Sequence, residues 1–200
     1  LTFSGAMDFE TGLKLVQKRG QAMQEAADAS SGGMVSVLLL DLPRVEELVR
    51  QASSRGMLRL ANFLCPGNLV VSGSKEACDE LEKLAGEAGA RTVRLAVAGA
   101  FHTPMMQPAV EKLATALSEV RFAMPRLPVW ANVTAKPYHE ASEIPLSLAR
   151  QVVEPVRWEE TMRGMMESGL ERFVEIGPGR VLAGLLKRIN RKADCRNVPA

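Results

Sequence analysis

The sequence is poor in the residues that would indicate a nucleic-acid-binding or membrane protein. Aromatic residues make up 4% of the 200 positions, too few for the stacking platforms on which proteins bind bases. Lys and Arg (25) nearly balance Asp and Glu (23), so no block of positive charge is available for a phosphate backbone. No apolar run approaches the roughly 20 residues that cross a bilayer, and no basic-then-apolar leader opens the chain. We expect neither nucleic acid nor a membrane as a partner.

The cysteines are also few and form no pattern. Cys65, Cys78 and Cys195 are the only three in the chain, and no C-x-x-C pair is present. An odd number of widely spaced cysteines is typical of a reducing compartment. We therefore expect a cytoplasmic protein without a bound metal.

What the sequence does contain is the pattern of an α/β protein with a small subdomain inside it. Its length and its 46% hydrophobic content suit one domain, or one domain with an insert. After a Ser/Gly linker the elements follow the order βαββαβ, the ferredoxin-like arrangement, which predicts one antiparallel sheet with both helices on one face. The predicted elements are strands at 34–40, 57–64, 69–72 and 91–97, and helices at 42–54 and 74–87. This places a small subdomain at 30–98, between two parts of a larger one at 1–29 and 99–200.

The larger part begins with a predicted helix at 8–27, which Asp8 can cap. We expect it to bury one face, formed by Phe9, Leu13, Val16, Ala22 and Met23. Arg19 lies on or beside that face, where an arginine either extends its charge to water or pairs with a carboxylate. After residue 98 the predicted helices are at 104–120, 144–153, 158–166 and 181–190, and the strands at 127–132 and 171–176. Such alternation indicates a parallel sheet, but two or three strands cannot cover these helices, so the larger part is incomplete.

A strand-to-helix turn at 97–106 contains His102, one of only two histidines. Its neighbours are small, and Pro104 is well placed to begin the following helix. Such turns often carry reactive side chains in α/β proteins, but a histidine at a helix start can equally bond only to nearby backbone. The other histidine, His139, has only polar neighbours, and we expect it to be exposed and inert. Gly177-Pro178-Gly179 lacks the spacing of a phosphate-binding loop and predicts a tight strand-to-helix turn.

Ordered landmarks along the whole chain resemble those of the malonyl-CoA:acyl carrier protein transacylases, the acyltransferases of fatty-acid synthesis. The landmarks are Lys18-Arg19-Gly20, Asn62 with Pro66-Gly67, Gly99-Ala100-Phe101-His102 with Met106 and Pro108, Asn132-Val133, Gln151 with Pro155-Val156-Arg157-Trp158, and Glu175-Ile176-Gly177-Pro178-Gly179. Each is weak alone, but their order and spacing together are specific. The resemblance implies an α/β-hydrolase-like acyltransferase core that carries the ferredoxin-like insert.

One part of the family pattern is missing from this sequence. The serine nucleophile of the family lies in a G-H-S-x-G elbow, and the chain contains no G-x-S-x-G at all. The resemblance places the elbow a few residues before the position of Leu1, together with an oxyanion-hole glutamine and central sheet strands. We therefore expect this chain to be the C-terminal two-thirds of the enzyme, with a missing N-terminal segment, or a partner chain, that carries the nucleophile.

The resemblance also implies a reaction and the roles of five residues. Malonyl passes from the thiol of coenzyme A to serine, and then to the phosphopantetheine thiol of acyl carrier protein, without a permanently bound cofactor. His102 is the general base, and the main-chain carbonyl of Gln151 orients its ring. Arg19 forms a bidentate pair with the malonyl carboxylate. Asn62 lies at the active-site mouth, and Phe101 crowds the α-carbon of the acyl group, so that methylmalonyl is disfavoured.

Two positions depart from the family, and two other functions stay open. Leu64 stands where the family often has a second asparagine, and Asn68 stands where it usually has a glutamine. A chain without a nucleophile is also compatible with a binding or scaffold module whose ferredoxin-like part recruits a protein. The other alternative is an acyltransferase domain of a polyketide synthase, which flanking ketosynthase or carrier-protein sequence would reveal.

Overall fold

The computed structural model describes residues 1–199 and contains alternating helices and strands. The helices are α1 (Phe9–Asp28), α2 (Leu42–Ala52), α3 (Lys75–Glu87), α4 (Gln107–Ser118), α5 (Glu143–Arg150), α6 (Trp158–Glu167) and α7 (Val181–Ile189). The strands are β1 (Gly32–Leu38), β2 (Leu58–Cys65), β3 (Asn68–Ser74), β4 (Arg91–Arg94), β5 (Trp130–Ala131), β6 (Lys136–Pro137), β7 (Arg172–Ile176) and β8 (Asp194–Val198). Short 3₁₀ turns at Ser53–Arg55 and Pro104–Met106 follow α2 and precede α4.

The segment from β1 to β4 forms one four-stranded sheet in the order β2-β3-β1-β4, with all pairs antiparallel. α2 and α3 cover one face of it, because each helix has a single apolar stripe that must be buried. Val37 and Val71 of the sheet and Leu48 and Leu81 of the helices are fully buried at that contact. The element order, the antiparallel pairing and the shared helical face agree with the sequence pattern.

The last strand of this sheet is shorter than predicted. β4 ends at Arg94, although the apolar alternation continues to Val97. Its pairing with β1 runs only from Leu38 to Val35, and one further hydrogen bond joins Leu95 N–H to Met34 O. The chain then turns, since the Val97 N–H donates to Leu95 O. Because the strand ends early, the chain leaves the sheet after Leu95 and continues to the His102 turn.

The second core lies between α1, α4 and the end of α5. Small residues of α1 allow α4 to approach closely, and leucines and alanines of α4 fill the contact. Fully buried Met106 and Val152 belong to this cluster. Both residues flank the His102 turn, so this core also holds the site.

The predicted buried face of α1 is wrong for three of its five residues. Phe9, Leu13 and Val16 are 73%, 59% and 68% exposed. The buried stripe instead consists of Leu15, Ala22, Met23, Ala26 and Ala27. At about 100° per residue, Leu15, Ala22 and Ala26 lie roughly a third of a turn away from Phe9, Leu13 and Val16. The helix therefore carries two apolar stripes, and the second, which continues to buried Met23 and Ala27, is uncovered at its N-terminal end within residues 1–199.

The C-terminal part contains a parallel pair and a hairpin. β7 and β8 pair in parallel, with α7 between them, and β8 was not predicted from the sequence. The predicted strand at 127–132 is reduced to β5, which pairs antiparallel with β6 and does not extend the parallel sheet within residues 1–199. Val174, Ile176 and Val198 of the parallel pair remain half or more exposed. No helix within residues 1–199 is long and apolar enough to cross a membrane.

Candidate active site

The backbone at His102 is held in a left-handed conformation. Its φ is +62°, a region that non-glycine residues seldom adopt, so the surrounding contacts must impose it. The buried Thr103 hydroxyl donates to Ala100 O at 2.6 Å and accepts from Met105 N–H at 3.3 Å. Thr103 thus caps the 3₁₀ turn that Pro104 begins, and fixes the direction in which the His102 side chain leaves the turn.

Gly99 sets how closely this turn approaches α1. A Cβ at Gly99 would lie 2.6 Å from Ala27 Cβ and 3.2 Å from Ala27 Cα. Ordinary carbon contacts begin near 3.4 Å, so no side chain fits at this position without moving the turn. The glycine is required for close approach.

The imidazole of His102 is hydrogen-bonded to two main-chain carbonyls. Nδ1 lies 2.9 Å from Gln151 O and 3.1 Å from Glu154 O. A carbonyl oxygen only accepts, so Nδ1 carries the proton in the neutral ring, and Nε2 is the unprotonated nitrogen. Nε2 has no hydrogen-bond partner within residues 1–199 and is free to accept a proton.

The segment after α5 supplies these carbonyls and is itself anchored on both sides. The His102 N–H donates to Val152 O at 3.2 Å, so the ring and the backbone of one residue contact the same turn. Further along, Val156 exchanges hydrogen bonds with β2, because its N–H donates to Ala61 O at 2.8 Å and its carbonyl accepts from Phe63 N–H at 2.9 Å. The small sheet and the His102 turn are thereby joined through one short loop.

Burial lowers the pKa of His102 below its ordinary value. The positive charge of Arg19 acts in the same direction, because it disfavours the imidazolium ion. The two carbonyls, from Gln151 and Glu154, partly oppose this by stabilising the protonated ring. The ring is therefore predominantly neutral at pH 7, which is the state a general base needs.

Arg19 extends from α1 and lies near enough to His102 to influence its pKa. Burial lowers the pKa of Arg19 itself, and within residues 1–199 no carboxylate influences it. Its side chain lines an apolar cavity of about 230 Å³, together with Leu15, Leu113 and Leu148. A half-buried guanidinium without a counter-ion, beside an apolar cavity, is suited to bind an anionic group.

Phe101 and Asn62 lie where the two parts of the chain meet. Phe101 is partly buried and packs against both the α1–α4 core and a small cluster of Met34, Ala61 and Val70 behind the sheet. Asn62 follows a β-bulge in β2 and forms a bridge with Val156, in the loop that continues from the carbonyls bound by His102. The structure thus brings the predicted residues to one junction.

The positions that depart from the family pattern have structural roles here. Leu64 packs in the cluster of Met34, Ala61 and Val70 behind the sheet. The Asn68 side chain accepts from the Ser36 hydroxyl at 3.0 Å. His139 is exposed, as expected, and its backbone N–H donates to the Glu143 carboxylate.

Glu154 is the site residue that the sequence did not reveal. It contacts His102 through its main-chain carbonyl, and a carbonyl is common to all residues. Its side chain forms a bidentate ion pair with Arg150. The only available signal was the i, i+4 spacing of Arg150 and Glu154, which is typical of any helix surface.

The family model and the relatives that match this chain all indicate one family. The family model for the acyl transferase domain matches residues 1–199. The malonyl CoA-acyl carrier protein transacylase of Bacillus subtilis (strain 168) is 37% identical over 194 residues, which are 96% of this chain and 61% of that protein. The Haemophilus influenzae protein of the same name is 38% identical, over 94% of this chain and 61% of its own length.

Solved structures with similar folds carry the same family name. The malonyl CoA-acyl carrier protein transacylase of Clostridium perfringens superposes with a TM-score of 0.95 at 39% identity, covering 99% of this chain and 63% of that one. A malonyl-transacylase in complex with a type II PKS acyl-carrier protein superposes with a TM-score of 0.93 at 36% identity. The chain spans less than two thirds of the length of these relatives. Its sequence and fold place it in the acyl transferase domain family, to which it belongs.

Proposed function

We propose that this chain provides the base and the acyl-binding residues of a malonyl-CoA:acyl carrier protein transacylase. The observation that carries the proposal is the His102 ring, held by two main-chain carbonyls with Nε2 free, beside the uncompensated charge of Arg19. The substrates are then the coenzyme A thioester and acyl carrier protein, with no permanently bound cofactor. The role is fatty-acid biosynthesis in the cytoplasm.

In the proposed mechanism His102 moves one proton back and forth. Nε2 takes the proton of a serine hydroxyl as the hydroxyl attacks the thioester carbonyl, because a serine is a poor nucleophile without a base. The resulting imidazolium then protonates the leaving thiolate of coenzyme A. In the second step Nε2 takes the proton of the phosphopantetheine thiol, which attacks the acyl-serine, and returns it to the serine oxygen. Gln151 keeps Nδ1 protonated throughout, so that Nε2 faces the reaction.

The serine itself is proposed to come from the portion of the family that this chain does not span. Two observations support a large contact with such a portion. Phe9, Leu13 and Val16 are exposed on one face of α1, and an apolar patch of this kind is typical of an interaction surface. Ile176 of the parallel pair is exposed as well. The relatives are also longer than this chain by more than a third of their length. The division into 30–98 and its two flanking parts belongs to the same proposal.

Arg19 is proposed to select malonyl by its terminal carboxylate. A bidentate pair with a guanidinium rewards an acyl group that carries the carboxylate, and an unpaired half-buried arginine penalises acetyl. Phe101 would limit substitution at the α-carbon, which is worth about 1–3 kcal/mol for one methyl group. Asn62, which follows the bulge in β2, is proposed to contact the acyl group or pantetheine.

The test uses this chain produced together with, or fused to, the preceding portion of the Bacillus subtilis relative, which supplies the elbow. Malonyl transfer from radiolabelled malonyl-CoA to acyl carrier protein is measured, with acetyl-CoA as the competing substrate. Arg19→Lys should reduce malonyl transfer on the order of 30-fold relative to acetyl, equivalent to about 2 kcal/mol for one charged hydrogen-bonded pair. Equal losses for both substrates would mean that Arg19 is structural.

Two further variants test the base and its orientation. His102→Ala should reduce acylation at least ~10²-fold, whereas Gln151→Ala should be tolerated, because the carbonyl acceptor stays in place. This chain alone should acquire no malonyl adduct by intact-mass measurement. Absence of transfer in the complemented wild type would contradict the proposed function.

A further inference from the structure

The turn between α5 and Val156 offers three carbonyls to a single residue. Gln151 O and Glu154 O accept from His102 Nδ1, and Val152 O accepts from His102 N–H. The carbonyls that follow the C-terminal end of a helix have no partner within the helix, and here the turn directs three of them at one histidine. The backbone N–H groups from 151 to 154 all donate to carbonyls of α5, and the shortest of these bonds is Glu154 N–H to Arg150 O at 2.9 Å.

A side-chain clamp closes this turn from the solvent side. Arg150 Nε and Nη2 donate to the two carboxylate oxygens of Glu154 at 2.6 and 2.9 Å. Two parallel hydrogen bonds fix both distance and orientation, which a single point contact does not. Arg150 is the last residue of α5 and Glu154 lies beyond its end. The ion pair therefore links the turn to the helix, unlike a pair between two residues within one helix.

The clamp does not act on His102 through charge. The influences on the pKa of the ring are burial, Arg19 and the two main-chain carbonyls, and the Glu154 carboxylate is not among them. Its charge is neutralised by Arg150, whose own pKa is raised by that contact. The route from the clamp to the ring is therefore geometric: it fixes residue 154, whose carbonyl is the second acceptor for Nδ1.

We propose that Arg150 and Glu154 are positioning residues for His102, because their ion pair holds the turn in the shape that directs both carbonyls at Nδ1. The consequence for acyl transfer rests on the proposed function, whereas the geometric consequence can be tested in this chain alone. Without the clamp, residue 154 keeps its backbone bond to Arg150 O but loses the contact that fixes its orientation, and the hydrogen bond from Nδ1 to Glu154 O weakens.

The experiment measures the ring directly by two-bond ¹H–¹⁵N correlation of the 200-residue chain across pH. The chain has only two histidines, so a His139→Asn variant assigns the signals of His102. In Arg150→Met and in Glu154→Gln, the pKa of His102 should fall by about 0.5 unit, because an acceptor that stabilises the protonated ring is weakened. The fraction of the Nδ1–H tautomer should fall as well. The reversed pair Arg150→Glu/Glu154→Arg should restore both values.

The matched control is a second ion pair of the same kind. Arg163 and Glu159 on α6 pair at the same i, i+4 spacing and with similar exposure, 46% and 26% against 44% and 34% for Arg150 and Glu154. Arg163→Met removes an equal charge without touching the turn. It should leave the His102 pKa and tautomer unchanged.

The possible results separate the proposal from its alternatives. An unchanged His102 pKa and tautomer in both Arg150→Met and Glu154→Gln, in folded protein, would overturn it. An equal shift in Arg163→Met would also overturn it, since net charge would then be the cause. In the complemented enzyme the two clamp variants should lose about 3–10-fold in kcat with little change in KM for malonyl-CoA. Failure of the wild type to transfer malonyl would count against the proposed function and leave the titration result standing.

Discussion

Replacing Gly99 by alanine tests whether the His102 turn depends on close contact with α1. The new Cβ would lie 2.6 Å from Ala27 Cβ and 3.2 Å from Ala27 Cα, about 0.8 Å and 0.2 Å inside ordinary contact. The Ala27 atoms belong to the backbone and first side-chain carbon of a 20-residue helix, so they cannot rotate away as a long side chain could. The φ of Gly99 is not in the left-handed region, so the strain is steric alone.

The magnitude follows from two opposing effects. Overpacking of this kind costs about 1–3 kcal/mol. Alanine also reduces the freedom of the unfolded chain, which returns about 0.4–1 kcal/mol. The net loss should be about 1–2 kcal/mol in the free energy of unfolding. At about 2–4 °C per kcal/mol for a chain of this size, Tm should fall by about 2–8 °C.

Urea denaturation followed by circular dichroism measures the change, and Gly20→Ala is the control. Gly20 lies in the middle of α1, and nothing lies within 4 Å of the position its Cβ would take. That variant should gain about 0.5–1 kcal/mol from better helix propensity. If Gly99→Ala were as stable as the wild type while Gly20→Ala behaved as expected, the turn would not be limited by this contact. In the expected case, the His102 ring signals should also move, because the turn is pushed away from α1.

Three further outcomes follow from the pKa values. Arg19→Met should raise the pKa of His102 in an NMR titration, because the guanidinium charge disfavours the imidazolium; a pKa that falls or stays constant would place Arg19 too far away to matter. The folded pKa of His102 is below its ordinary value of 6.5, so the unfolded chain binds more protons between the two values and stability falls as pH falls through that interval. His102→Gln lacks this contribution and should lose less stability between pH 7.5 and 5.5 in urea denaturation, and an equal loss would contradict it. Cys195 is only partly buried and should react with iodoacetamide before Cys78, which is fully buried and whose pKa is raised by burial to about 11. Peptide mass mapping that found Cys78 labelled first would refute this.

The small sheet could be predicted because its signals are local. β1 and β3 contain short apolar runs, Asp41 and Ser74 occupy the N-cap positions of α2 and α3, and Gly89 follows α3 with a φ of +78°. Those signals fix the type and order of the elements. The end of β4 could not be predicted in this way, because β1 continues to Gly32 whereas the pairing stops at Val35 and the β4 chain turns away between Leu95 and Val97.

The buried face of α1 could not be predicted because the helix carries two apolar stripes. Periodicity identifies both, but only the packing partner decides which one is covered. β8 was not predicted for a related reason, because Asp194, Arg196 and Asn197 leave it without an apolar run. It forms a strand because its backbone pairs with β7. Both cases show a tertiary contact overriding a local pattern.

The part of the candidate site that consists of reactive or charged side chains could be predicted from the sequence. His102 stood out by its rarity and by its position between a strand and a helix, and Arg19 by its place on an apolar helix. The resemblance supplied the Gln151 carbonyl, and the structure places that oxygen 2.9 Å from the ring. The roles of Glu154 O and Val152 O could not be predicted from the sequence, because every residue has the same main-chain carbonyl.

The anchoring of the turn in main-chain atoms has a consequence for how this region can evolve. Every amino acid offers the same carbonyl, so a substitution at 151, 152 or 156 removes no acceptor, although the buried side chain at 152 must still fit the core. Proline, in contrast, deletes a donor: at Phe63 or Val156 it would break the attachment to β2, and at 151 or 152 it would break a hydrogen bond to α5. The acceptors of the histidine therefore depend on the path of the backbone, whereas the side chains of Arg150, Val152 and Glu154 are constrained by the ion pair and by the core around that path.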